Sequence, residues 1–206
     1  MNKENYHEKM EEALAQIPKG ERLLLHSCCG PCSSAVLEQL SKHFAITLVY
    51  YNPNIWPPAE YERRKEEQRG VLKKLPQAYP IVFEEVPYRP EAFYAAVAGL
   101  EQEPEGGRRC AACFELRLQQ AAQQAVQRGM EWFTTTLTIS PHKNAALLNS
   151  LGQQVAQRYG VHFLPSDFKK KNGYKRSLEL SAEYGMYRQD YCGCEFSHRQ
   201  RFGREE

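Results

Sequence analysis

Seven cysteines are the residues of this chain with the clearest capacity for chemistry. They fall into three groups, which are Cys28-Cys29-x-x-Cys32, Cys110-x-x-Cys113 and Cys192-x-Cys194. Thiolates bind metals and attack electrophiles. Four of them suffice for a 4Fe-4S cluster or a structural zinc ion, so three cysteines remain beyond either site. The surplus favours an additional function: a redox-active pair, a second metal or a nucleophilic thiol.

The sequence around each group indicates how it could work. The first group lies between an apolar run and a helical pattern that starts at Pro31. Amide groups at a helix N-terminus stabilise a thiolate. We expect Cys110 and Cys113 just before a helix, at a spacing that lets two thiolates reach adjacent metal sites. Gly193 gives the third group a backbone that can bend. A C-x-x-C alone is often half of a zinc site, and beside a strand-to-helix turn it is typical of thiol–disulfide exchange, but three groups together favour a bound metal.

Composition and charge limit the alternatives. Hydrophobic residues make up 42% of the chain and charged residues 25%, which is typical of a globular protein with a core. The formal net charge is only +2, so any surface for nucleic acid must be local. No apolar run approaches the roughly 20 residues that span a bilayer, and the polar N-terminus does not resemble a signal peptide. We therefore expect a cytoplasmic protein without a membrane partner, in which an odd number of cysteines argues against a disulfide framework.

Strand-like and helix-like patterns alternate along the chain, and such alternation predicts a parallel sheet with helices on both faces, a Rossmann-like α/β fold. We expect one domain over residues 1–206, with an N-terminal helix at 5–17 and a cysteine-bearing C-terminal segment at 166–206 as additions. The predicted strands cover residues 22–27, 46–51, 81–86, 132–136 and 161–164.

Polar residues follow four of these strands and should meet at one edge of the sheet. Besides the first cysteine group, they are Asn52, Asn54, Ser140, Pro141, His142 and Asp167. Asp167 is a candidate general acid or metal ligand, although a loop aspartate is more often a helix cap. His26 could orient a ligand or simply be buried. Asp190 and Tyr191, next to the third cysteine group, could supply a proton.

Five segments of the sequence together resemble one family. They are LLLHSCCGPCSS, YYNPNIWPPAEYERRK, RRCAACFELRL, TTTLTISPHKN and YKRSLELSAEYGMYRQDYCGCEFS, and they occur in this order from about residue 23 to residue 197. The chain is similar in these segments to the cobalamin-independent epoxyqueuosine reductases (QueH), and YRQDYCGC followed by FS is their most specific motif.

The resemblance implies a reaction, a cofactor and a substrate. Enzymes of this family remove the epoxide oxygen of epoxyqueuosine in tRNA and so give queuosine, the last step of queuosine biosynthesis. The modified nucleoside lies in the anticodon loop of the tRNAs for Asp, Asn, His and Tyr. The resemblance also implies an iron–sulfur cluster, no cobalamin, an unidentified electron donor and a fold like that of the adenine-nucleotide α-hydrolases.

With this resemblance, we expect Cys28, Cys29, Cys110 and Cys113 to hold a 4Fe-4S cluster. Cys192 and Cys194 would be the redox couple, with Cys32 nearby as a further thiol or ligand. A rival allocation places Cys192 or Cys194 on the cluster and the remaining thiols on a second iron. We expect phosphate contacts from basic residues and base stacking on aromatic ones. The basic candidates are Lys169, Lys170, Lys171, Lys175, Arg176, Arg63, Arg64 and Lys65, and the aromatic ones are Tyr51, Trp56, Tyr61 and Tyr174.

Three other functional classes remain as alternatives. A zinc-stabilised nucleic-acid-binding module would need no chemistry from the surplus thiols. A thiol–disulfide oxidoreductase would need only one pair. An ATP-pyrophosphatase-like enzyme would need a glycine-rich phosphate loop after the first strand, where this chain has SCCGPCSS.

Overall fold

A five-stranded sheet, parallel throughout, forms the centre of the molecule. The computed structural model of the protein describes residues 4–203. The strands lie in the order β3-β2-β1-β4-β5. They are β1 (Glu21–Ser27), β2 (Phe44–Tyr50), β3 (Ile81–Glu85), β4 (Trp132–Thr135) and β5 (His162–Phe163). The predicted α/β class and its parallel sheet are confirmed.

Eight helices surround this sheet within the described part of the chain. They are α1 (Tyr6–Gln16), α2 (Gly30–Leu40), α3 (Pro58–Lys74), α4 (Pro90–Ala96), α5 (Arg108–Gln127), α6 (Ala145–Tyr159), α7 (Gly173–Glu183) and α8 (Glu195–Phe202). A 3₁₀ turn, Thr136–Ile139, follows β4. The N-terminal helix expected at 5–17 is present, whereas α8 was not predicted because it is short and begins at a cysteine, which is not a usual capping residue. Among residues 4–203, no helix has the length and apolar character needed to cross a membrane.

The central strand β1 is covered on both faces. Leu23 and Leu25 are buried with Leu37 of α2 on one side. Leu24 is buried with Leu118 of α5 on the other. A strand buried on both faces has apolar residues at consecutive positions, which explains the unbroken run of leucines. The cysteines that follow β1 therefore start from a rigid part of the fold.

Gly30 fixes the start of α2 against α3. A Cβ atom at Gly30 would lie 3.0 Å from Cγ2 of Val71 and 3.1 Å from the backbone oxygen of Glu67. A side chain at this position would require these neighbours to shift by a few tenths of an ångström, so glycine lets the first turn of α2, which contains Cys32, pack closely on α3.

The order in which the chain adds strands to the sheet reverses between β1 and β4. The connections from β1 run towards β2 and β3, while β4 and β5 lie on the other side of β1. In open α/β sheets such a switch point leaves a crevice beyond the carboxyl ends of the strands, where ligands bind. Here the residues at that crevice are the first cysteine group, after β1, and the 3₁₀ turn, after β4.

Candidate active site

A cavity of about 600 Å³ lies at this switch point. Its wall includes Cys28 and Cys32 from the turn after β1, and Lys143 from the segment after the 3₁₀ turn. The C-terminal segment contributes Gln189 and Cys192. Sites for small ligands commonly have volumes of about 300–1,000 Å³, so the cavity is large enough for a nucleoside-sized group. Thiols from the first and third cysteine groups thus line one space.

The first cysteine group forms a compact triad. The sulfur atoms of Cys28, Cys29 and Cys32 lie within 4.8 Å of one another. Cys29 is the N-cap residue of α2, and Cys32 lies in the first helical turn. The Sγ atoms of Cys28 and Cys29 are 3.9 Å apart, and both cysteines are free thiols. Three sulfur atoms so placed suit the ligand set of one metal centre.

The three cysteines of the triad differ in pKa. Hydrogen bonds from Cys29 and Cys32 hold the pKa of Cys28 well below its usual range, and the charges of Lys143 and Arg117 lower this pKa further. The same interactions act in reverse on its neighbours: the hydrogen bond with Cys28 raises the pKa of Cys29 to about 12 and that of Cys32 well above the ordinary value. Cys28 is therefore the thiol of the triad that loses its proton most readily.

The second cysteine group lies inside a helix. We expected Cys110 and Cys113 just before it, but α5 begins at Arg108 and contains both. The amphipathic pattern is clear only from Phe114, because the first turn includes Arg109, which is buried through hydrogen bonds to two backbone oxygens of the loop before α5. Burial raises the pKa of Cys110, and it raises that of Cys113 to about 12, so both are thiols in the absence of a metal.

The third group connects the second group to the cavity. Cys194 is buried in one hydrophobic cluster with Cys113, Phe93 and Val97. Its Sγ caps α8 by accepting from the backbone N–H of Ser197 at 3.4 Å, and burial raises its pKa. Cys192, two residues earlier, lines the cavity.

Polar contacts hold the C-G-C turn in place. Nη1 of Arg64 donates to the backbone oxygen of Cys192 at 3.2 Å, and the backbone N–H of Trp56 donates to that of Gly193 at 2.8 Å. Gly193 has a φ of +126°, a conformation that L side chains rarely adopt. Further back, Nε2 of Gln189 donates to Sγ of Cys29 at 3.1 Å. The C-terminal segment therefore contacts both α3 and the triad.

Two cations lie among the thiols. Burial alone would lower the pKa of the Lys143 ammonium, but the sulfur atoms of Cys192, Cys28 and Cys32 raise it above its ordinary value. Arg117, on α5, lines the same cavity and donates from Nη1 to Oδ1 of Asn54 at 2.9 Å. Both cations favour negative charge in this cavity, whether on thiolates or on a ligand.

The other predicted site residues differ in their placement. Asp167 is paired with Lys169 and is not among the described residues that line the cavity. Asp190 is at the cavity, and Tyr191 donates to the backbone oxygen of Trp56 at 2.6 Å. His26 is fully buried, with Nε2 donating to the backbone oxygen of Tyr51 at 3.0 Å and Nδ1 2.9 Å from the Thr135 hydroxyl. Burial lowers its pKa to about 3, so His26 is a neutral core residue, the alternative that the sequence left open.

The structure corrects four of the expected tRNA contacts. Tyr51 and Tyr61 are only 6% and 1% exposed, so neither ring can stack on a base. Arg64 is buried in an ion pair with Glu60, and Lys65 is buried in pairs with Glu62 and Glu85. Periodicity alone could not reveal this, because a long charged helix such as α3 gives little indication of which cations face inward. Arg63 is exposed, and Tyr174 lines the cavity.

Several cavity residues were not singled out from the sequence. Arg117 follows Cys110 and Cys113 at helical spacing, so the pattern C-x-x-C-x-x-x-R could have placed it on the same face of α5. Lys143 and Gln189 lie in loops, where no periodicity indicates the direction of a side chain.

Comparison with known proteins identifies the family of this chain. The family described as "Epoxyqueuosine reductase QueH" matches residues 23–200. An epoxyqueuosine reductase QueH of Staphylococcus epidermidis is 43% identical over 200 residues, which cover 94% of this chain and 84% of the relative. One of Streptococcus pyogenes is 45% identical over 177 residues, covering 85% and 69%. One of Thermotoga maritima is 36% identical over 181 residues, covering 85% and 89%.

Proposed function

The chain belongs to the epoxyqueuosine reductase QueH family, and on that premise we propose that it reduces epoxyqueuosine in tRNA to queuosine, the final step of queuosine biosynthesis. One observation supports this most strongly: a nucleoside-sized cavity at the switch point of the sheet is lined by thiols of two separate cysteine groups. An epoxide is a strained electrophile, and thiols supply both a nucleophile and electrons.

The reaction can be balanced with two thiols of the chain. A thiolate attacks one epoxide carbon, an S–C bond forms, and the C–O bond breaks with its electron pair on oxygen. A second thiol attacks the bound sulfur, so that an S–S bond forms and the S–C electron pair makes the C=C bond as the second C–O bond breaks. The dithiol is oxidised by two electrons, and its two protons leave with the oxygen as water.

We assign the redox couple to Cys192 and Cys194. Cys192 lines the cavity, and Cys194 is buried behind it on the turn around Gly193. The positive φ of Gly193 allows the two cysteines to turn towards each other. Cys32 also lines the cavity as a further thiol. Asp167, which pairs with Lys169 and lies outside the cavity lining, is the acid that we propose.

The remaining thiols fit an iron–sulfur cluster. The triad places three sulfur atoms within 4.8 Å of one another, and the nearby cations Lys143 and Arg117 favour the anionic ligands that such a cluster needs. Cys28, Cys29, Cys110 and Cys113 would hold a 4Fe-4S cluster, and Cys32 is available to a second iron. When bound, the cluster supplies electrons one at a time, which would return the disulfide to the dithiol. No cobalamin is part of this proposal.

The macromolecular substrate is the anticodon loop of the tRNAs for Asp, Asn, His and Tyr. Bases of single-stranded loops can be turned outward into a protein pocket. At the cavity, Arg188 and Arg201 are available to phosphate groups, and Tyr174 to a base. The electron donor is a separate, unidentified partner. We propose the cytoplasm as the place of action, because thiols remain reduced there.

Mass spectrometry of tRNA nucleosides tests the proposed function. The protein, purified without oxygen and assayed for iron, is incubated with tRNA that carries epoxyqueuosine and with dithionite as reductant. We expect queuosine, lighter by one oxygen atom, and no product with the Cys192→Ser variant. An iron-loaded protein that leaves epoxyqueuosine unchanged would refute the proposal, and colourless protein with bound zinc would favour the nucleic-acid-binding alternative.

A further inference from the structure

Arg117 is a buried cation with hydrogen-bonding capacity left over. Its side chain is 3% exposed, and among the described residues its Nε and Nη2 atoms have no hydrogen-bond partner. No carboxylate between residues 4 and 203 forms an ion pair with it. A buried charge with unused donors is costly unless a ligand completes its interactions.

The fold holds this side chain in one orientation. Nη1 donates to Oδ1 of Asn54, which is itself buried in the loop after β2. With Nη1 held there, the unused atoms Nε and Nη2 form one edge of the planar guanidinium group. That edge carries two parallel N–H groups, an arrangement that fits an oxygen acceptor. Arg117 is therefore held at Nη1, while its buried Nε–Nη2 edge has no partner among the described residues.

The position of Arg117 connects it with the proposed chemistry. It lines the cavity together with Cys28, Cys192 and Lys143. The reaction places negative charge on one atom of the substrate, because the epoxide oxygen receives the electron pair of the first C–O bond to break. Donors that are already oriented towards a developing oxyanion are among the most effective elements of an active site.

We infer that Arg117 is a catalytic residue whose free Nε–Nη2 edge donates to the epoxide oxygen as the ring opens. This inference rests on the proposed function. The balance of the reaction is unchanged: the thiolate forms the S–C bond, the oxygen takes the electron pair of the C–O bond, and the thiol protons later leave with it as water. Arg117 remains protonated and donates hydrogen bonds only.

Single-turnover kinetics of iron-loaded Arg117→Gln tests the inference. We expect the rate of queuosine formation to fall roughly 100-fold to 1,000-fold, while KM for the tRNA, the iron content and the visible spectrum stay near those of the wild type. Arg117→Lys, which keeps the charge without the two-pronged edge, should be intermediate and guards against misfolding of the first variant. Arg128→Gln, on the same helix but outside the cavity, is the matched control and should keep the wild-type rate.

Two results would overturn the inference: a rate within a few-fold of the wild type, or loss of iron in both Arg117 variants, which would make Arg117 a support of the metal site. A second readout separates it from the proposed function. Sodium formate, a small oxyanion, should stabilise the iron-loaded wild type and Arg128→Gln against heat but not Arg117→Gln. If the wild type does not reduce epoxyqueuosine, the stabilisation by formate decides between two outcomes. Stabilisation that depends on Arg117 would support an oxyanion site at Arg117 without the proposed reaction. No stabilisation of the wild type would refute both the oxyanion site and the proposed function.

Discussion

The triad after β1 and the C-G-C turn before α8 are both cysteine-rich, but they differ in packing and in the pKa values of their cysteines. The triad follows a central strand, is packed by the close approach at Gly30, and includes Cys28, whose pKa lies well below its usual range. The C-G-C turn is held by hydrogen bonds from Arg64 and Trp56, and burial raises the pKa of Cys194. Three sulfur atoms on a rigid element suit a metal, whereas two cysteines on a turn around a glycine suit a redox couple that must move. The surroundings of a cysteine, and not its spacing alone, indicate its chemistry.

The largest expected difference between the two regions appears when one cysteine of each is replaced by serine. We expect Cys28→Ser to lose most of its iron and to lower the reduction rate by about 1,000-fold or more, because the triad loses one of its three closely spaced sulfur atoms. Cys192→Ser should lose a similar amount of activity but keep its iron. Anaerobic iron analysis beside the tRNA assay checks both variants. Loss of iron from Cys192→Ser would instead support the rival allocation, in which the third group binds the cluster.

A change at Gly193 probes the turn without removing sulfur. A Cβ there would lie 2.9 Å from Nη1 of Arg64, and the φ of +126° is strained for any other residue. Gly193→Ala should therefore lower activity by about 10-fold to 100-fold by displacing the two cysteines, with iron retained. Gly203→Ala, on a glycine that also has a positive φ but has open space around it, is the control and should keep the wild-type activity. Full activity of Gly193→Ala would show that the geometry of the turn does not matter.

Arg64 of α3, which donates a hydrogen bond to the C-G-C turn, can be replaced to test its contribution to stability. Arg64 is 2% exposed and pairs with Glu60 at 2.7 Å, so Arg64→Met leaves the Glu60 carboxylate in a buried setting without its cation. The expected loss is about 3 kcal/mol in the free energy of unfolding. Arg63→Met, one residue away but exposed, should cost no more than about 1 kcal/mol. Chemical denaturation of the pair measures this difference, and equal losses would contradict the role given to Arg64.

The smallest expected effect concerns α7, the first helix of the C-terminal segment. Arg176 binds Glu38 of α2 through two hydrogen bonds, of 2.9 and 2.6 Å, and these hold the pKa of Glu38 below its ordinary value. The folded state thus binds this proton less readily than the unfolded chain. The pair stabilises the fold above the unfolded pKa, and that contribution disappears as pH falls through the lower folded pKa.

Glu38→Gln should consequently be less stable than the wild type by about 0.5–1 kcal/mol near neutral pH, since Arg176 is partly exposed and solvent weakens the pair. The difference should vanish in acid below the folded pKa. Thermal unfolding at several pH values follows it, with exposed Glu183→Gln as the control. A gap between wild type and Glu38→Gln that persists at low pH would mean that shape, and not charge, holds α7.

The sequence was most informative where periodicity and turn residues act together. The run of leucines in β1, the Pro31 start of α2 and the alternation of strands and helices predicted the sheet and the edge at which Cys28 and Cys32 lie. These patterns did not place Cys192 at the same cavity. The sequence was less informative for side chains on long polar helices. Whether Arg64 or Arg63 faces inward depends on Glu60 and on the distant C-terminal segment. The partner of Arg117, Asn54, is likewise 63 residues away, and such contacts leave no local pattern.

The assignment of the redox couple to the C-G-C turn, and of metal binding to the triad, is tested most directly by mapping disulfides after one turnover. Reduced, iron-loaded enzyme would be mixed without oxygen and without added reductant with tRNA that carries epoxyqueuosine. After alkylation of the free thiols, peptide mass spectrometry would locate the cross-links. One disulfide between Cys192 and Cys194 is expected for each queuosine formed. Queuosine formed while both of these cysteines remain alkylated thiols would contradict the account.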